Sequence, residues 1–119
     1  MEFHPHRSHP DVLVVVADRE LDSYDAIDFV ADLMRTVDAG VRALVVDCSR
    51  LGHVSTITVC TLVRLHKRLA LHGGTLHLAG VQPPLRRVLG MTRLDTVFRL
   101  CDSLDEAVEM AAAGQVPRA

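Results

Sequence analysis

The chain has 119 residues and a mass of 13.1 kDa, and 49% of its side chains are hydrophobic. This is enough apolar material for one core and too little chain for two, so we expect a single domain over residues 1–119. A formal net charge of −2 and an aromatic content of 3%, with no tryptophan, argue against nucleic-acid binding, which needs a strong positive field or a base-stacking platform.

The sequence also gives little support for a membrane protein or a disulfide-stabilised protein. No stretch approaches the roughly 18 consecutive apolar residues that span a bilayer, and the first residues lack a basic region followed by an apolar one. We therefore expect a cytoplasmic protein without membrane insertion. The cysteines Cys48, Cys60 and Cys101 are odd in number, match no zinc spacing and lie in apolar sequence, so all three are predicted to be buried free thiols.

Residues 1–10 contain three closely spaced histidines, His4, His6 and His9, together with two prolines. This segment predicts either a short edge strand followed by a turn or a mobile arm, and we favour the arm. The histidines suggest a metal site, but no carboxylate or cysteine stands at a matching spacing. No metal is expected.

Two apolar runs, residues 12–17 and residues 43–46, are predicted as strands. The second run is uniformly apolar, which is typical of a strand buried on both faces, so we place it at the centre of the sheet. Between the runs, apolar residues recur at helical spacing from Asp25 to Val37 and predict an amphipathic helix that ends at Gly40.

A polar stretch at residues 48–53 follows the central strand and leads into a helix predicted over residues 56–72. Ser55, Thr56 or Thr58 can supply a hydroxyl that caps this helix. Four basic or titratable side chains are expected on its outer side: Arg64, Lys67, Arg68 and His72.

The remaining elements are a strand at residues 75–79, a short helix at 85–89, a strand at 97–100 and a helix at 104–112, with a frayed tail at 114–119. Strands thus alternate with helices along the chain. This order predicts an α/β domain with a mainly parallel or mixed sheet covered by helices.

Catalysis finds no support in the sequence. There is no glycine-rich phosphate loop, no nucleophile elbow and no paired-histidine zinc motif. His53 and Ser55 form the one candidate pair of base and nucleophile, but neighbouring residues on a loop often point apart. We predict a protein that is not an enzyme, in which a phosphoryl group on a hydroxyl at the helix start would add nearly two negative charges and so switch a binding surface.

Four segments match a known family pattern. They are Glu20, Leu21 and Asp22 after the second strand, LVVDCS at residues 44–49, GGTLHLAGVQPPLRRVLGMTRLDTVF at residues 73–98, and DSLDEAV at residues 102–108. The third is the most specific, with Arg93 where a glycine is common. Through these segments the chain resembles the STAS domain family, the anti-sigma factor antagonists, from about residue 12 to residue 108.

The resemblance implies a four- to five-stranded sheet, with about four helices packed mostly on one side. We expect no cofactor. The resemblance also implies a function: such proteins bind an anti-sigma factor that is a serine kinase, so that the sigma factor is released. Phosphorylation by that partner at the start of the second long helix blocks binding.

The chain departs from the family at this switch, where the usual sequence is close to Asp-Ser-Ser-Gly. Ser55 stands at the acidic position, Thr56 at the first serine, Ile57 at the serine that is usually phosphorylated, and Thr58 at the glycine. Ile57 cannot accept a phosphate. The resemblance therefore implies a degenerate phosphoswitch, for which Thr56, Ser55 and Thr58 are the candidate acceptors.

Three hypotheses remain open. The chain is an anti-sigma factor antagonist with an altered switch, a non-phosphorylated scaffold or partner-binding module in a stress-signalling assembly, or a domain that binds a nucleotide or lipid in a groove beside His53 and Ser55. We expect a monomer or a weak homodimer. The predicted partner-binding face has Val54 and Ile57 at its apolar centre and Arg64 at its rim. Its residues are Asp22, Ser23, His53, Val54, Ser55, Thr56, Ile57, Thr58, Cys60, Thr61 and Arg64.

Overall fold

The computed structural model describes residues 2–17, 26–52 and 54–113. The strands are β1 (Glu2–Pro5), β2 (Val12–Val16), β3 (Ala43–Asp47), β4 (Thr75–Ala79) and β5 (Arg99–Cys101). The α-helices are α1 (Ala26–Asp38), α2 (Thr56–Leu71), α3 (Pro83–Met91) and α4 (Leu104–Ala113), and a 3₁₀ turn spans Leu94–Thr96.

The five strands form one sheet in the order β1-β2-β3-β4-β5. β1 is antiparallel to β2, and every other neighbouring pair is parallel. Helices connect the parallel strands because a parallel neighbour can be reached only by a crossover. The predicted mixed sheet is confirmed, with β3 at its centre.

Each face of the sheet carries its own apolar cluster. On one face, Leu44 and Val46 of β3 pack with α1, α2 and α3. On the other face, Ala43 and Val45 pack with α4. β3 is therefore buried on both faces, as its uniformly apolar sequence predicts, and three of the four helices lie on the same side.

The N-terminal segment corrects a prediction. The prediction of a mobile arm is wrong. Glu2–Pro5 pairs with β2 as an edge strand, and the His6 N–H donates to the Val12 carbonyl at 2.9 Å. The tail at residues 114–119 lies outside the described residues.

The segment after β4 differs from its prediction in detail. α3 begins at Pro83 rather than at residue 85. Proline fits the first turn of a helix, because a backbone N–H there has no hydrogen-bond partner within the helix and its absence costs nothing. The last strand begins at Arg99, after the 3₁₀ turn. Arg93 precedes that turn with φ = 60°, the left-handed conformation that explains why the family pattern has glycine there.

Two glycines make the tight connection from α2 to β4. Gly73 has φ = +72°, and a Cβ on Gly74 would lie 2.6 Å from the Arg42 carbonyl oxygen. The same oxygen accepts the Thr75 N–H at 2.9 Å, so it cannot move without breaking this hydrogen bond at the first residue of β4. The close approach of two backbone segments thus requires glycine at residue 74.

We predict that Gly74→Ala destabilises the protein by about 1–3 kcal/mol, since the methyl group overlaps backbone that cannot yield. The control is Gly90→Ala within α3, where a Cβ meets only the Asp95 carboxylate at 3.9 Å. Gly90→Ala should stabilise by about 0.5–1 kcal/mol because alanine favours helix. Urea denaturation measures both. Equal effects of the two substitutions would contradict this account of Gly74.

His77 is a buried polar residue in the middle of the sheet. It lies on β4 between Val45 and Arg99 in register and is 4% exposed, and its Nδ1 has no hydrogen-bond partner among the described residues. Burial, followed by the positive charge of Arg99, lowers the pKa of His77 from its usual 6.5. The fold therefore holds this imidazole neutral.

This lowered pKa predicts a pH dependence of stability. The unfolded state binds a proton more readily than the folded state, so stability is complete above about pH 6.5 and is lost as pH falls toward the folded pKa. His77→Leu should flatten the dependence of the urea midpoint on pH between about 5 and 7. The exposed-histidine control, His4→Gln, should keep the slope of the wild type. Identical slopes for the wild type and His77→Leu would contradict the assignment.

Candidate functional site

The candidate site lies where the parallel strands end and the loops into α2 and α3 begin. Backbone hydrogen bonds continue past the strands at this edge: the Ala17 N–H donates to Asp47, the Cys48 N–H to Ala79 and the Gly80 N–H to Cys101, at 2.8–3.0 Å. Because these bonds join the ends of four strands, the loops start from a fixed platform.

The loop between β3 and α2 is anchored at several points. Leu51 is fully buried in the main core, and Val54 packs against it. Asp47 accepts the Ser49 N–H at 3.0 Å, while the Gln82 side-chain amide donates to the Ser49 carbonyl. The loop that precedes α2 is therefore tied both to the core and to the start of α3.

Ser55 is the N-cap of α2. Its backbone is extended, and its Oγ accepts the Thr58 N–H at 3.3 Å. The Thr58 hydroxyl lies 3.4 Å from the same Oγ. Of the three hydroxyls that the sequence offers for capping, the structure selects Ser55.

The three candidate acceptor hydroxyls differ in accessibility. Thr58 is fully buried, and Ser55 is half-buried with its oxygen engaged in capping. Thr56 is exposed at the first position of α2, and no hydrogen bond of its side chain joins it to another described residue. Of the three hydroxyls, that of Thr56 is therefore the most accessible to solvent.

Ile57 points outward from the first turn of α2, with 56% of its surface exposed. Cys60 and Arg64 are also exposed and follow it at helical spacing, so the three lie along one outer face. Thr61 is buried instead, and its hydroxyl donates to the Ile57 carbonyl at 2.8 Å. Of the predicted partner-binding residues on α2, Thr58 and Thr61 therefore point inward, whereas Ile57, Cys60 and Arg64 point outward.

The cysteines depart in part from the prediction of three buried thiols. Cys48 and Cys101 are buried, and Cys60 is exposed because it shares the outer face of α2 with Ile57. Burial, followed by the negative charge of Asp47, raises the pKa of Cys48 to about 12. Cys48 therefore stays a thiol at neutral pH and is a packing residue rather than a nucleophile.

Three predicted site residues, Asp22, Ser23 and His53, lie outside the described residues. The small-ligand groove that involves His53 therefore stays a prediction. Sequence reasoning missed Gln82, which joins two loops, and Leu71, which extends the outer face of α2. The spacing of residues 57, 60, 64, 67 and 71 along one helical face was the available signal for Leu71.

These elements define an α/β domain with an anchored loop and an exposed helix start at the carboxyl edge of its sheet. The family model of the STAS domain matches residues 5–107 of the chain. The chain therefore belongs to the STAS domain family.

Solved structures show the same fold at low sequence identity. A candidate anti-sigma factor antagonist from Thermotoga maritima is 21% identical over 92% of each chain, with a TM-score of 0.81. A component of the stressosome, a signal integration and transduction hub, is 20% identical over 94% of this chain and 96% of its own, with a TM-score of 0.77. The unphosphorylated anti-sigma factor antagonist SpoIIAA from Bacillus is 18% identical over 95% and 99%, with a TM-score of 0.74.

Among the described residues, none of the helices has the length and apolar content needed to cross a membrane. In the same ranges, no group of three or more histidine, cysteine or acidic side chains is arranged to hold a metal ion.

The capping role of Ser55 is testable. Ser55→Ala removes the acceptor for the Thr58 N–H and should destabilise the protein by about 1 kcal/mol, whereas Ser55→Asp should retain most of the stability. Thr56→Ala is the matched control, since its exposed hydroxyl makes no such bond, and it should leave the melting temperature nearly unchanged. Equal losses in the two alanine variants, measured by thermal denaturation, would refute the assignment of the cap.

Proposed function

We propose that this protein is a bacterial anti-sigma factor antagonist that acts in the cytoplasm. It binds an anti-sigma factor of the serine-kinase type and thereby regulates sigma-factor-dependent transcription. The chain itself performs no catalysis: its part is to present a binding surface, and the partner supplies the kinase chemistry.

The observation that carries the proposal is the exposed Ile57 on the first turn of α2. An apolar side chain in water, on a rigid helix and followed by Arg64 on the same face, is typical of an apolar contact with a charged rim. The family places its acceptor serine at this position. The chain keeps the location of the contact and replaces the acceptor with a hydrophobic group.

Thr56 is the acceptor that the geometry favours. A phosphate on Thr56 would lie at the positive end of the α2 dipole, where no acidic residue occupies the first turn. It would also bring nearly two negative charges beside Ile57. A partner that covers Ile57 would then have to remove water from those charges, which is costly. Phosphorylation of Thr56 would therefore weaken partner binding.

A scaffold role is the second candidate. Ile57 removes the usual acceptor, so a chain that is never phosphorylated would bind its partners constitutively. The similarity in fold to a stressosome component favours this alternative. In that case the partners would be other STAS or signalling proteins rather than a kinase.

The first experiment is an affinity pull-down from lysate of the native host, with the intact mass of the bait measured alongside. Recovery of a small ATPase-type serine kinase supports the antagonist function. A mass increment of one phosphoryl group that Thr56→Ala abolishes identifies the acceptor. Recovery of STAS proteins alone, with an unmodified bait, favours the scaffold.

For the recovered kinase, we predict that Arg64→Glu raises the dissociation constant at least about tenfold, which corresponds to about 1.4 kcal/mol, while the melting temperature stays nearly constant. Arg86→Glu on the exposed side of α3 is the matched charge reversal and should leave the affinity unchanged. Isothermal titration calorimetry measures both. Unchanged affinity for Arg64→Glu would place the contact elsewhere.

A further inference from the structure

The exposed side of α3 combines positive charge with a large apolar side chain. The helix buries Leu85 and Leu89 in the core, so its opposite side faces solvent. That side presents Arg86, Arg87 and Met91. Arg87 and Met91 are four residues apart and are therefore neighbours on the helix surface. Met91 is 74% exposed, so an apolar group lies in water beside guanidinium groups.

Arg93 adds a third exposed guanidinium just beyond the end of α3. Its φ of 60° is the left-handed conformation, which strains a residue with a side chain and suits glycine. Among the described residues, no other residue except glycine has a positive φ. The Arg93 N–H donates to the Gly90 carbonyl at 3.3 Å, and the Arg93 carbonyl accepts the Thr96 hydroxyl at 2.7 Å. Hydrogen bonds on both sides therefore hold the strained backbone in place.

No contact of the Arg93 side chain explains why an arginine occupies this position. The carbonyls of Val88 and Leu89 in the last turn of α3 already accept from Thr92, and that of Gly90 accepts the Arg93 N–H. The three guanidinium groups form no ion pair with another residue in the described ranges. Glycine would make the same turn without strain, so what arginine contributes here is its side chain.

The charge and size of this surface define what it can bind. Residues 83–98 contain three arginines and a single acidic residue, Asp95, in a chain whose net charge is −2. Arginine pairs with a carboxylate through two parallel N–H donors, and an exposed methionine offers an adaptable apolar contact. α3 has nine residues and is about 14 Å long, so a short segment of another chain can span it.

We propose that the exposed side of α3, together with Arg93, binds an acidic segment of another protein. An apolar side chain of that segment covers Met91, and its carboxylates pair with the arginines around it. Nucleic acid offers no apolar group for Met91, and the net negative charge of the chain opposes its approach. Anionic membranes attract clusters of roughly four to eight basic residues, which is more than the three arginines present here.

This inference does not rest on the proposed function. The face proposed for the anti-sigma factor lies on the outer side of α2 and includes Ile57 and Arg64, whereas the acidic segment contacts α3. The acidic protein is therefore a partner distinct from the kinase. Substitutions on α2 and on α3 separate the two contacts, so either one can fail without the other.

Fluorescence anisotropy with the purified protein tests the proposal. The probe is a fluorescein-labelled amphipathic peptide in which leucine recurs at positions i, i+3, i+4 and i+7 and glutamate fills the other positions. We expect a dissociation constant below about 1 mM. It should rise at least about tenfold between about 0.05 M and about 0.5 M sodium chloride, because salt screens exposed charges. The same peptide with lysine in place of glutamate should not bind.

Three variants locate the contact. R87E/M91S should weaken peptide binding at least about tenfold, and the charge-matched control R64E/K67E on α2 should bind like the wild type. Arg93→Gly removes a guanidinium and relieves the strained backbone, so it should raise the melting temperature and weaken binding together. A residue that serves only the turn would give the first change without the second.

Circular dichroism establishes that each variant is folded. A wild type that does not bind the acidic peptide overturns the proposal. So does binding that R64E/K67E abolishes and R87E/M91S leaves intact, or an Arg93→Gly variant that melts higher and binds with unchanged affinity. Binding to phosphatidylglycerol vesicles or to duplex DNA, with none to the peptide, would assign the surface to a lipid or a nucleic acid and would also overturn it.

Discussion

The burial of β3 on both faces is the constraint on which the rest of the structure depends. Alternate side chains of this strand enter two separate apolar clusters, so it can occupy only the middle of a sheet with helices on both sides. Its parallel neighbours then require crossover helices, and the common hand of these crossovers places α1 and α2 on the same face. The position of the candidate site follows from this arrangement.

The described part of the loop before α2 is anchored to the same framework. Hydrogen bonds extend the sheet beyond the last residues of β2, β3 and β4, Leu51 anchors the loop in the core, and Ser55 caps the first turn of α2. Ile57 is therefore held in water on a fixed backbone. A preorganised apolar group binds without the entropic cost of ordering a loop, and this supports the contact proposed at Ile57.

The outer surface of α2 presents different side chains at its two ends. Its N-terminal end presents Ile57 beside accessible Thr56, and its C-terminal end presents the exposed side chains of Lys67, Arg68 and Leu71. Arg64 lies between the two ends and belongs to the face proposed for the anti-sigma factor.

The sequence by itself determined the strands at β2 and β3, the amphipathic α1, the start of α2 and the family resemblance, since each depends on local periodicity or on contiguous residues. Only the tertiary structure decided which hydroxyl caps α2 and which stays accessible, because Ser55, Thr56 and Thr58 have the same chemistry in sequence and differ only in burial. It also decided that Cys60 is exposed and that residues 2–5 pair with β2. Burial and strand pairing depend on residues that are distant in the sequence, so a local sequence pattern cannot predict them.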